Sequence, residues 1–398
     1  MTYPLLTLKA GRENAPANRH PWIFSGALAE GKPEVPHGAL VRVAEASGQV
    51  IATGTYSAKG MIAVRVLAWE EAPITREWIR ERVREAVERR RLVGIGADET
   101  VTGYRAVFGE ADGLPGLVVD RYGEVAVVQF ATAGAEGLRE PILQALADVL
   151  TPAAIYERSD LPARTEEGLA PASGLLSGVL PERVEFAEHG LRFTADVTGG
   201  QKTGFFLDQR DVRRQARALA AGRRVADLFS YRGAAGVAAL KGGAEHVHCV
   251  DSSAAALAAV GPEAEANGLA AARITAEEAD VFQWLGQRSE PEFDMVLLDP
   301  PALIKSRRHA EEGRKGYHFL NRAALRILRD QGLLVTSSCS FFFTEDDFAT
   351  TLRRAAAQAG VQLHVLATVR QAADHPVALH FPESFYLKSF VCQVRRRV

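Results

Sequence analysis

The sequence predicts an α/β protein whose C-terminal part is a doubly wound parallel sheet, preceded by a small β-barrel or sandwich and a small central α+β domain. Three observations predict this organisation. From about residue 191, apolar strands alternate with alanine-rich helical stretches, which is typical of a parallel sheet covered on both faces. Residues 1–72 contain short apolar runs broken by Gly, Ser and Pro, and residues 73–190 mix strands with helical patterns. We therefore expect domains at 1–72, 73–190 and 191–398.

The composition is that of a folded protein without a global nucleic-acid or membrane signature. The chain has 398 residues, of which 47% are hydrophobic and 24% charged, and its net charge is −2. Cys249, Cys339 and Cys392 lie far apart and form no CxxC pair, so we expect neither a disulfide framework nor a metal site. The N-terminus lacks the apolar core of a signal peptide, and no run of 18 uncharged apolar residues occurs. We expect a cytoplasmic protein that does not associate with membranes.

The first two regions leave their function open. Residues 1–70 carry 7 Lys and Arg against 5 Asp and Glu, which fits an accessory domain or a weakly basic nucleic-acid-binding barrel. Residues 73–91 predict a helix whose arginines form either a solvated face or an RNA-facing patch. Strands and a helix near 135–150 follow, and the turn-rich stretch 169–182 is expected to be a connecting segment or a hairpin.

The predicted strands of the C-terminal region indicate where its chemistry lies. They cover residues 224–229, 246–251, 272–280, 293–299 and 332–338. Ligands of doubly wound sheets bind beyond the carboxyl ends of the strands, so we expect functional residues directly after these positions. Cys339 follows the last of them, although a cysteine in an apolar run is also ordinary core filling.

Glycines and acids follow the first three of these strands. Gly233 and Gly236 permit a tight turn and a close approach of backbone to ligand, but the spacing matches neither GxGxxG nor GxxxxGK[ST]. Asp227 would repel a pyrophosphate and attract an amino group. Asp251 can accept hydrogen bonds from ribose hydroxyls, and Asp280 can reach an adenine amino group. This pattern favours S-adenosylmethionine, with another nucleoside as the alternative.

The fourth strand leads into Asp299, followed by two prolines that make the turn rigid. An aspartate there can accept a hydrogen bond from a nitrogen of a target base, whereas a turn that only terminates the strand needs no acid. Residues 305–319, KSRRHAEEGRKGYHF, are expected to form a cationic loop beside the pocket. Such a loop suits a phosphate backbone or is simply solvated.

Six motifs in order over about 200 residues resemble the ribosomal RNA large subunit methyltransferase I family, and the similarity extends over nearly the whole chain. They are GGQKTGFFLDQRDVR (199–213), DLFSYRG (227–233), VDSS (250–253), LDPPALIKS (298–306), SSCS (337–340) and RQAADHP (370–376). The resemblance implies an N-terminal RNA-binding PUA domain, a central strand-strand-helix-strand-strand domain and a Rossmann-like class I methyltransferase domain. It also implies S-adenosylmethionine as cofactor and methylation of carbon 5 of a cytosine in 23S ribosomal RNA.

The resemblance also implies which residues act. The cofactor-binding residues implied are Asp227, Asp251 and Asp280 together with Phe206, Phe229, Ser230, Gly233 and Ser252. The RNA-binding residues implied are Lys202, Lys305, Arg314 and Lys315. The chain departs from the family at Arg232, where a small residue is frequent. Ala302, after the two prolines, stands where many RNA cytosine methyltransferases of the wider group carry a second cysteine.

The expected mechanism makes Cys339 the nucleophile. Addition of its thiolate to carbon 6 of cytosine activates carbon 5 toward the methyl donor, while Asp299 steadies the ring. Cations of residues 305–318 are expected to help the thiol ionise, and Cys249 and Cys392 are expected to be structural. Two alternatives remain: an N-methyltransferase acting on guanine or adenine, which Ala302 disfavours because an aromatic residue usually follows the prolines there, and a non-catalytic RNA-binding assembly factor. The sequence leaves homodimer formation open.

Overall fold

The computed structural model describes residues 3–31 and 33–396, and the chain forms two compact units. The first unit consists of Met1–His189, Thr194–Leu207 and Ala373–Ser384. The second consists of Gly190–Phe193, Asp208–Ala372 and Phe385–Val398. The division into three domains stays a prediction.

The N-terminal sheet of the first unit has five strands, and a short helix α1 (Asn14–Ala17) follows the first of them. The strands are β1 (Leu5–Thr7), β2 (Trp22–Phe24), β3 (Leu40–Ala44), β4 (Val50–Tyr56) and β5 (Ile62–Ala68). They are ordered β1-β3-β4-β5-β2, and every pair is antiparallel except β1 and β3. Their alternating apolar residues, such as Val41, Val43 and Val64, are fully buried in one cluster.

The second sheet of the first unit also has five strands, ordered β10-β9-β8-β7-β6. They are β6 (Gly103–Phe108), β7 (Leu117–Tyr122), β8 (Val125–Phe130), β9 (Ala154–Ser159) and β10 (Ala172–Gly178). Its helices are α2 (Arg76–Arg91), α3 (Ala133–Gly137), α4 (Arg139–Leu150) and α5 (Pro162–Glu166). The expectation of a connecting segment or hairpin at 169–182 was wrong, because β10 pairs antiparallel with β9 as an edge strand.

Helix α2 is the helix predicted within residues 73–91. The Thr75 hydroxyl accepts a hydrogen bond from the Trp78 N–H and caps the helix, and its apolar residues Ile79, Val83 and Val87 are buried. Three of its exposed arginines pair with glutamates three residues earlier in the helix: Arg80 with Glu77, Arg84 with Glu81 and Arg91 with Glu88. These intrahelical pairs are typical of the solvated-face interpretation.

The second unit is built on a seven-stranded sheet ordered β15-β14-β13-β16-β17-β19-β18. Its strands are β13 (Arg224–Leu228), β14 (His246–Asp251), β15 (Ile274–Glu278), β16 (Phe293–Leu298), β17 (Leu328–Ser338), β18 (Val361–Arg370) and β19 (Lys388–Arg396). The first five strands in this order are parallel, and β19 runs antiparallel to both of its neighbours. The predicted parallel sheet is therefore present, and it is extended by β19, which runs antiparallel to it, and by the edge strand β18. Two further strands, β11 (Val184–Glu188) and β12 (Leu191–Ala195), precede β13 along the chain.

Most helices of the second unit lie between these strands in the chain, as the alternating pattern predicted, and the first of them precedes β13. They are α6 (Arg210–Leu219), α7 (Ala234–Lys241), α8 (Ala254–Leu257), α9 (Val260–Ala266), α10 (Val281–Gly286), α11 (Ala310–Ile327) and α12 (Glu345–Ala359). The predicted cationic loop at 305–319 was wrong, because α11 begins at Ala310. Tyr317 and Leu320 of this helix are fully buried in the main apolar cluster, and that packing explains the helix despite its polar start.

Candidate active site

The predicted site residues of the second unit lie at the carboxyl edge of the parallel strands. In register, Leu228 of β13 stands opposite both Val250 of β14 and Leu298 of β16. Leu298 in turn stands opposite Thr336 of β17. Asp251 and Asp299 therefore follow directly at the same edge, and Cys339 comes three residues after Thr336.

The turn after β13 has a strained backbone of the kind found at ligand sites. Phe229 and Tyr231 adopt positive φ angles of 59° and 51°, and Gly233 has φ 74° at the start of α7. A Cβ on Gly233 would lie 2.9 Å from Val260 Cγ2, and a Cβ on Gly236 would lie 2.9 Å from Val247 Cγ1. Both glycines are thus required by close packing, and strain of this type persists where the surrounding structure holds it for function.

Asp227 is the buried acid of this turn. Its Oδ2 accepts a hydrogen bond of 2.8 Å from the N–H of Gly236, in the first turn of α7. Burial raises the pKa of the Asp227 carboxyl to about 7, and the charge of Asp251 adds to the increase while the bond from Gly236 opposes it. A carboxyl in this state gains from a cationic ligand, since a nearby positive charge would favour its ionised form.

The other two predicted acids are already oriented by backbone groups. Asp251 accepts hydrogen bonds from the N–H of Tyr231 (2.8 Å) and of Ser253 (2.9 Å), one at each oxygen. Ser252 between them is exposed. Asp280 is also exposed and caps α10, its Oδ1 accepting from the N–H of Gln283 at 2.9 Å.

These residues fit S-adenosylmethionine. The strained turn holds its backbone in one arrangement at the sheet edge where ligands bind, and the buried acid Asp227 beside it suits an ammonium group. Asp251 retains lone pairs that ribose hydroxyls can use. Of the predicted cofactor residues in this unit, the half-buried Phe229 and the buried Ser230 lie in the same turn. Arg232, where the chain departs from the family, pairs with Glu263 of α9 at 3.1 Å.

Cys339 lies in a turn that is fixed on both sides. It is half-buried, whereas Ser338 and Ser340 on either side are fully buried. The Ser340 N–H donates to Ser338 Oγ at 3.3 Å, and Ser340 Oγ accepts from the N–H of Ile304 at 3.1 Å. The Tyr317 hydroxyl also bonds Ser340 Oγ, at 2.9 Å. These bonds hold the backbone around the thiol in one arrangement.

Lys388 is a site residue that sequence reasoning missed. It begins β19, is 3% exposed, and its Nζ donates a 2.7 Å hydrogen bond to the carbonyl oxygen of Ser340. Burial lowers the pKa of Lys388 to about 8, although the negative charges of Cys339 and Glu345 act to raise it. The available signal was a lysine inside the otherwise apolar run YLKSFVC at 386–392.

The predicted RNA-binding residues are divided between the two units. Lys305 and Lys315 are exposed, and Arg314 in α11 pairs with Asp347 of α12 at 3.1 Å. Lys202 lies in the first unit, where its Nζ is 4.3 Å from the centroid of the Phe206 ring. The positive φ of Lys202, 53°, marks another strained turn.

Within residues 3–31 and 33–396, no group of three or more His, Cys, Asp or Glu side chains is arranged to hold a metal ion. In the same described part of the chain, no helix combines the length and the apolar character needed to cross a bilayer.

Both the N-terminal and the C-terminal region of the chain are similar to known protein families. Residues 145–375 match the family of S-adenosylmethionine-dependent methyltransferases, and residues 6–69 match PUA-like domains. A ribosomal RNA large subunit methyltransferase I from Klebsiella pneumoniae is 37% identical over 98% of this chain and 98% of its own. One from Serratia proteamaculans is 39% identical over 98% and 99%. A solved methyltransferase complexed with SAH has a TM-score of 0.84 at 23% identity, over 99% of this chain and 100% of that chain, which shows the fold. The predicted fold class and cofactor are confirmed.

Proposed function

The chain belongs to the ribosomal RNA large subunit methyltransferase I family, and on this basis we propose that it methylates carbon 5 of a cytosine in 23S ribosomal RNA. We infer further that the reaction passes through a covalent adduct with Cys339. When bound, S-adenosylmethionine supplies the methyl group. The same proposal includes three domains, at 1–72, 73–190 and 191–398, of which the PUA-like first domain binds RNA.

The observation that carries the proposal is the contrast between Cys339 and the other two cysteines. Cys249 and Cys392 are 0% exposed, and burial raises the pKa of Cys249 well above its usual value and that of Cys392 to about 12. Both therefore stay protonated and enclosed. Cys339 is half-buried at the carboxyl edge of the sheet, where ligands of such sheets bind. It is the thiol of this chain that a base can reach.

Cys339 would act by adding its sulfur to carbon 6 of the cytosine. Carbon 5 is a poor nucleophile in the aromatic ring and becomes enamine-like once this bond forms. After carbon 5 has gained the methyl group, a base takes its proton, and the electron pair of that C–H bond forms the carbon 5–carbon 6 double bond. The sulfur–carbon bond then breaks, and the Cys339 thiolate leaves. The fixed turn around Cys339 favours this chemistry because the sulfur does not have to be ordered when the base arrives.

Asp299 would hold the base in place. It is half-buried at the end of β16, its N–H donates to the Leu228 carbonyl oxygen at 3.4 Å, and Pro300 and Pro301 follow. Neither proline has an N–H or a polar side chain, so the Asp299 carboxyl is the polar side chain that this turn presents to a substrate. A carboxylate can accept hydrogen bonds from the cytosine amino group and the ring nitrogen as charge develops there.

Basic residues would bind the RNA backbone. Lys305 and Lys315 are exposed on the segment after Asp299, and Arg314 stays exposed while paired with Asp347. From the first unit, we propose that Lys202, which lies in a strained turn, also contacts the RNA backbone. Contacts of this kind weaken as salt increases because binding releases counterions from the phosphates.

The test is to incubate the protein with 23S ribosomal RNA and labelled donor, digest the RNA and identify the methylated nucleoside. We expect 5-methylcytidine, and RNA carrying 5-fluorocytosine at the target should trap a covalent adduct that survives denaturation. Cys339→Ala should abolish both products, whereas the matched control Cys392→Ala should retain them. Methylation at a nitrogen of guanine or adenine, or methylation by the Cys339 variant without any trapped adduct, would refute the proposal.

A further inference from the structure

Lys388 contacts the residues on both sides of Cys339. In the antiparallel pairing of β17 with β19, Lys388 stands directly opposite Ser338. Its Nζ reaches past the strand end and donates to the Ser340 carbonyl oxygen at 2.7 Å. The backbone of Lys388 therefore lies opposite Ser338 and its side chain contacts Ser340, the two residues on either side of the half-buried Cys339. This arrangement depends on strand pairing and does not require any flexible segment.

Because Lys388 is buried, its ammonium group needs a negatively charged or hydrogen-bonding partner. The residue is 3% exposed, and an ammonium group removed from water is costly unless charge or hydrogen bonds compensate it. The carbonyl oxygen of Ser340 is a neutral acceptor. Burial lowers the pKa of Lys388 to about 8, and the ionised form of Cys339 acts in the opposite direction. The coupling is reciprocal: an ammonium that gains from a thiolate stabilises that thiolate by the same free energy.

Three other titratable or charged groups surround Lys388. Glu345, at the start of α12, also acts to raise the pKa of Lys388, but its Oε2 lies 3.7 Å from Nη2 of Arg370. Arg370 is the residue opposite Lys388 on β18. Tyr317 of α11 is buried, and burial raises the pKa of its hydroxyl, so it stays neutral near pH 7. Glu345 therefore already faces a second cation, and the Cys339 thiol is the other acidic group whose charge acts on Lys388.

We propose that Lys388 is a positioning residue that holds Cys339 in its thiolate form, an inference that rests on the proposed role of Cys339 as nucleophile. The thiol proton passes to water, so that one S–H bond breaks and one O–H bond forms, and the ammonium group of Lys388 stabilises the thiolate that remains. When the sulfur–carbon bond of the adduct later breaks, its electron pair returns to sulfur beside the same ammonium group. Lys388 thus takes the role first assigned to cations of residues 305–318.

The experiment measures alkylation of the full-length protein by iodoacetamide, without RNA or donor, and follows Cys339 by peptide mass spectrometry over pH 5 to 10. Thiolate is the reactive form, so the pH of half-maximal rate reports ionisation of the thiol. Lys388→Met should move this midpoint up by about one pH unit or more and slow alkylation near pH 7 by about tenfold. Lys388→Arg keeps a positive charge and should restore most of the rate. An unchanged profile in folded Lys388→Met would overturn the proposal.

Lys241→Met is the matched control. Lys241 also donates to a backbone carbonyl oxygen, that of Asn267 at 3.2 Å, but it ends α7 and does not contact the turn around Cys339 through any hydrogen bond described here. The control should have the wild-type alkylation profile. A shift of equal size in Lys241→Met would show that loss of any such lysine alters the thiol indirectly, and would overturn the specific assignment.

A second variant keeps the proposal testable if Lys388→Met does not fold. Cys339→Ala removes a half-buried thiol and little volume, and NMR of ¹³C-labelled lysine then follows the titration of Lys388 itself. Because the coupling is reciprocal, the Lys388 midpoint should move to lower pH in this variant. An unmoved midpoint would refute the coupling. Both measurements are made without RNA, so failure of the 5-fluorocytosine adduct would refute the proposed function without changing their outcome.

Discussion

The buried carboxyl of Asp227 should make donor binding depend on pH below 7. If the ammonium group of S-adenosylmethionine binds this side chain, it binds the carboxylate, whereas burial holds the carboxyl largely protonated below its pKa of about 7. Binding in mildly acidic solution must then release the proton of Asp227. The α-amino group of the ligand stays protonated throughout this range, so the protein supplies the pH dependence.

The magnitude follows from the pKa. With a value of about 7, the ionised fraction of Asp227 is about 1% at pH 5 and about 9% at pH 6. The donor affinity should therefore rise about tenfold over this interval, or about 1.4 kcal/mol, and about one proton should be released for each ligand bound. Above pH 7 the affinity should level off, because most of the carboxyl is then already ionised.

The free energy of unfolding of the unliganded protein should decrease as the pH rises, whereas the donor affinity increases. The folded pKa of Asp227 is raised, so between pH 4 and 7 the native state binds more protons than the unfolded state. The contribution of this group is therefore complete below about pH 4 and is lost as the pH rises through about 7. A difference of about 3 pKa units corresponds to about 4 kcal/mol. Asp227→Asn, which keeps the acceptor for the Gly236 N–H, should escape this loss.

The assay is isothermal titration calorimetry of S-adenosylmethionine at pH 5 to 7 in two buffers of different ionisation enthalpy. Wild type should show the tenfold rise and the released proton, and Asp227→Asn should bind more weakly with a flat profile. Thermal melting of the unliganded proteins measures the effect on stability. The melting temperature of Asp227→Asn should rise relative to that of wild type as the pH increases. A flat affinity for wild type, or the same slope in both proteins, would contradict the assignment of Asp227 to the ammonium group.

Three further predictions concern other parts of the site. Asp251→Ala should weaken donor binding by about 1–3 kcal/mol in calorimetry through lost ribose hydrogen bonds, and equal affinity in a folded variant would remove Asp251 from the site. Gly236→Ala should lower the free energy of unfolding by about 1–3 kcal/mol in urea titration, because its Cβ would meet Val247. The control Gly261→Ala, with open space around it, should be neutral or stabilising, and equal losses would disprove the packing argument. Lys315→Ala should reduce the salt dependence of RNA binding by about one counterion, and an unchanged slope would mean that Lys315 contacts no phosphate.

The sequence by itself determined the parallel strands and the edge at which the site lies. Strands buried on both faces must be almost continuously apolar, so runs such as 246–251 and 293–299 are visible locally, and polar residues at their ends stand out. Asp227, Asp251 and Asp299 could be selected on this basis because their strand-end positions follow from chain order alone. The same logic singled out Cys339 among the three cysteines.

Helix α11 shows where local sequence was insufficient. Its first part contains Gly313 and Gly316 among charged residues, a composition that indicates a loop. In the folded protein a Cβ on Gly313 would lie 2.3 Å from Ile304 Cγ1, so the glycine is there because the preceding segment packs against the helix. Burial of Tyr317 and Leu320 stabilises the helix. Tertiary packing overrides the local preference, and a single sequence does not contain that information.

Only the tertiary structure decided the electrostatics of the site. Lys388 is 49 residues from Cys339 in the chain and reaches its turn because β19 pairs antiparallel with β17, a pairing that no local pattern specifies. The raised pKa of Asp227 and the lowered pKa of Lys388 likewise come from burial first, and burial is a property of the packed fold. Residue types and strand ends can be read locally because they depend on neighbours in sequence. Charge states cannot, because desolvation and Coulomb interactions depend on distances that folding alone sets.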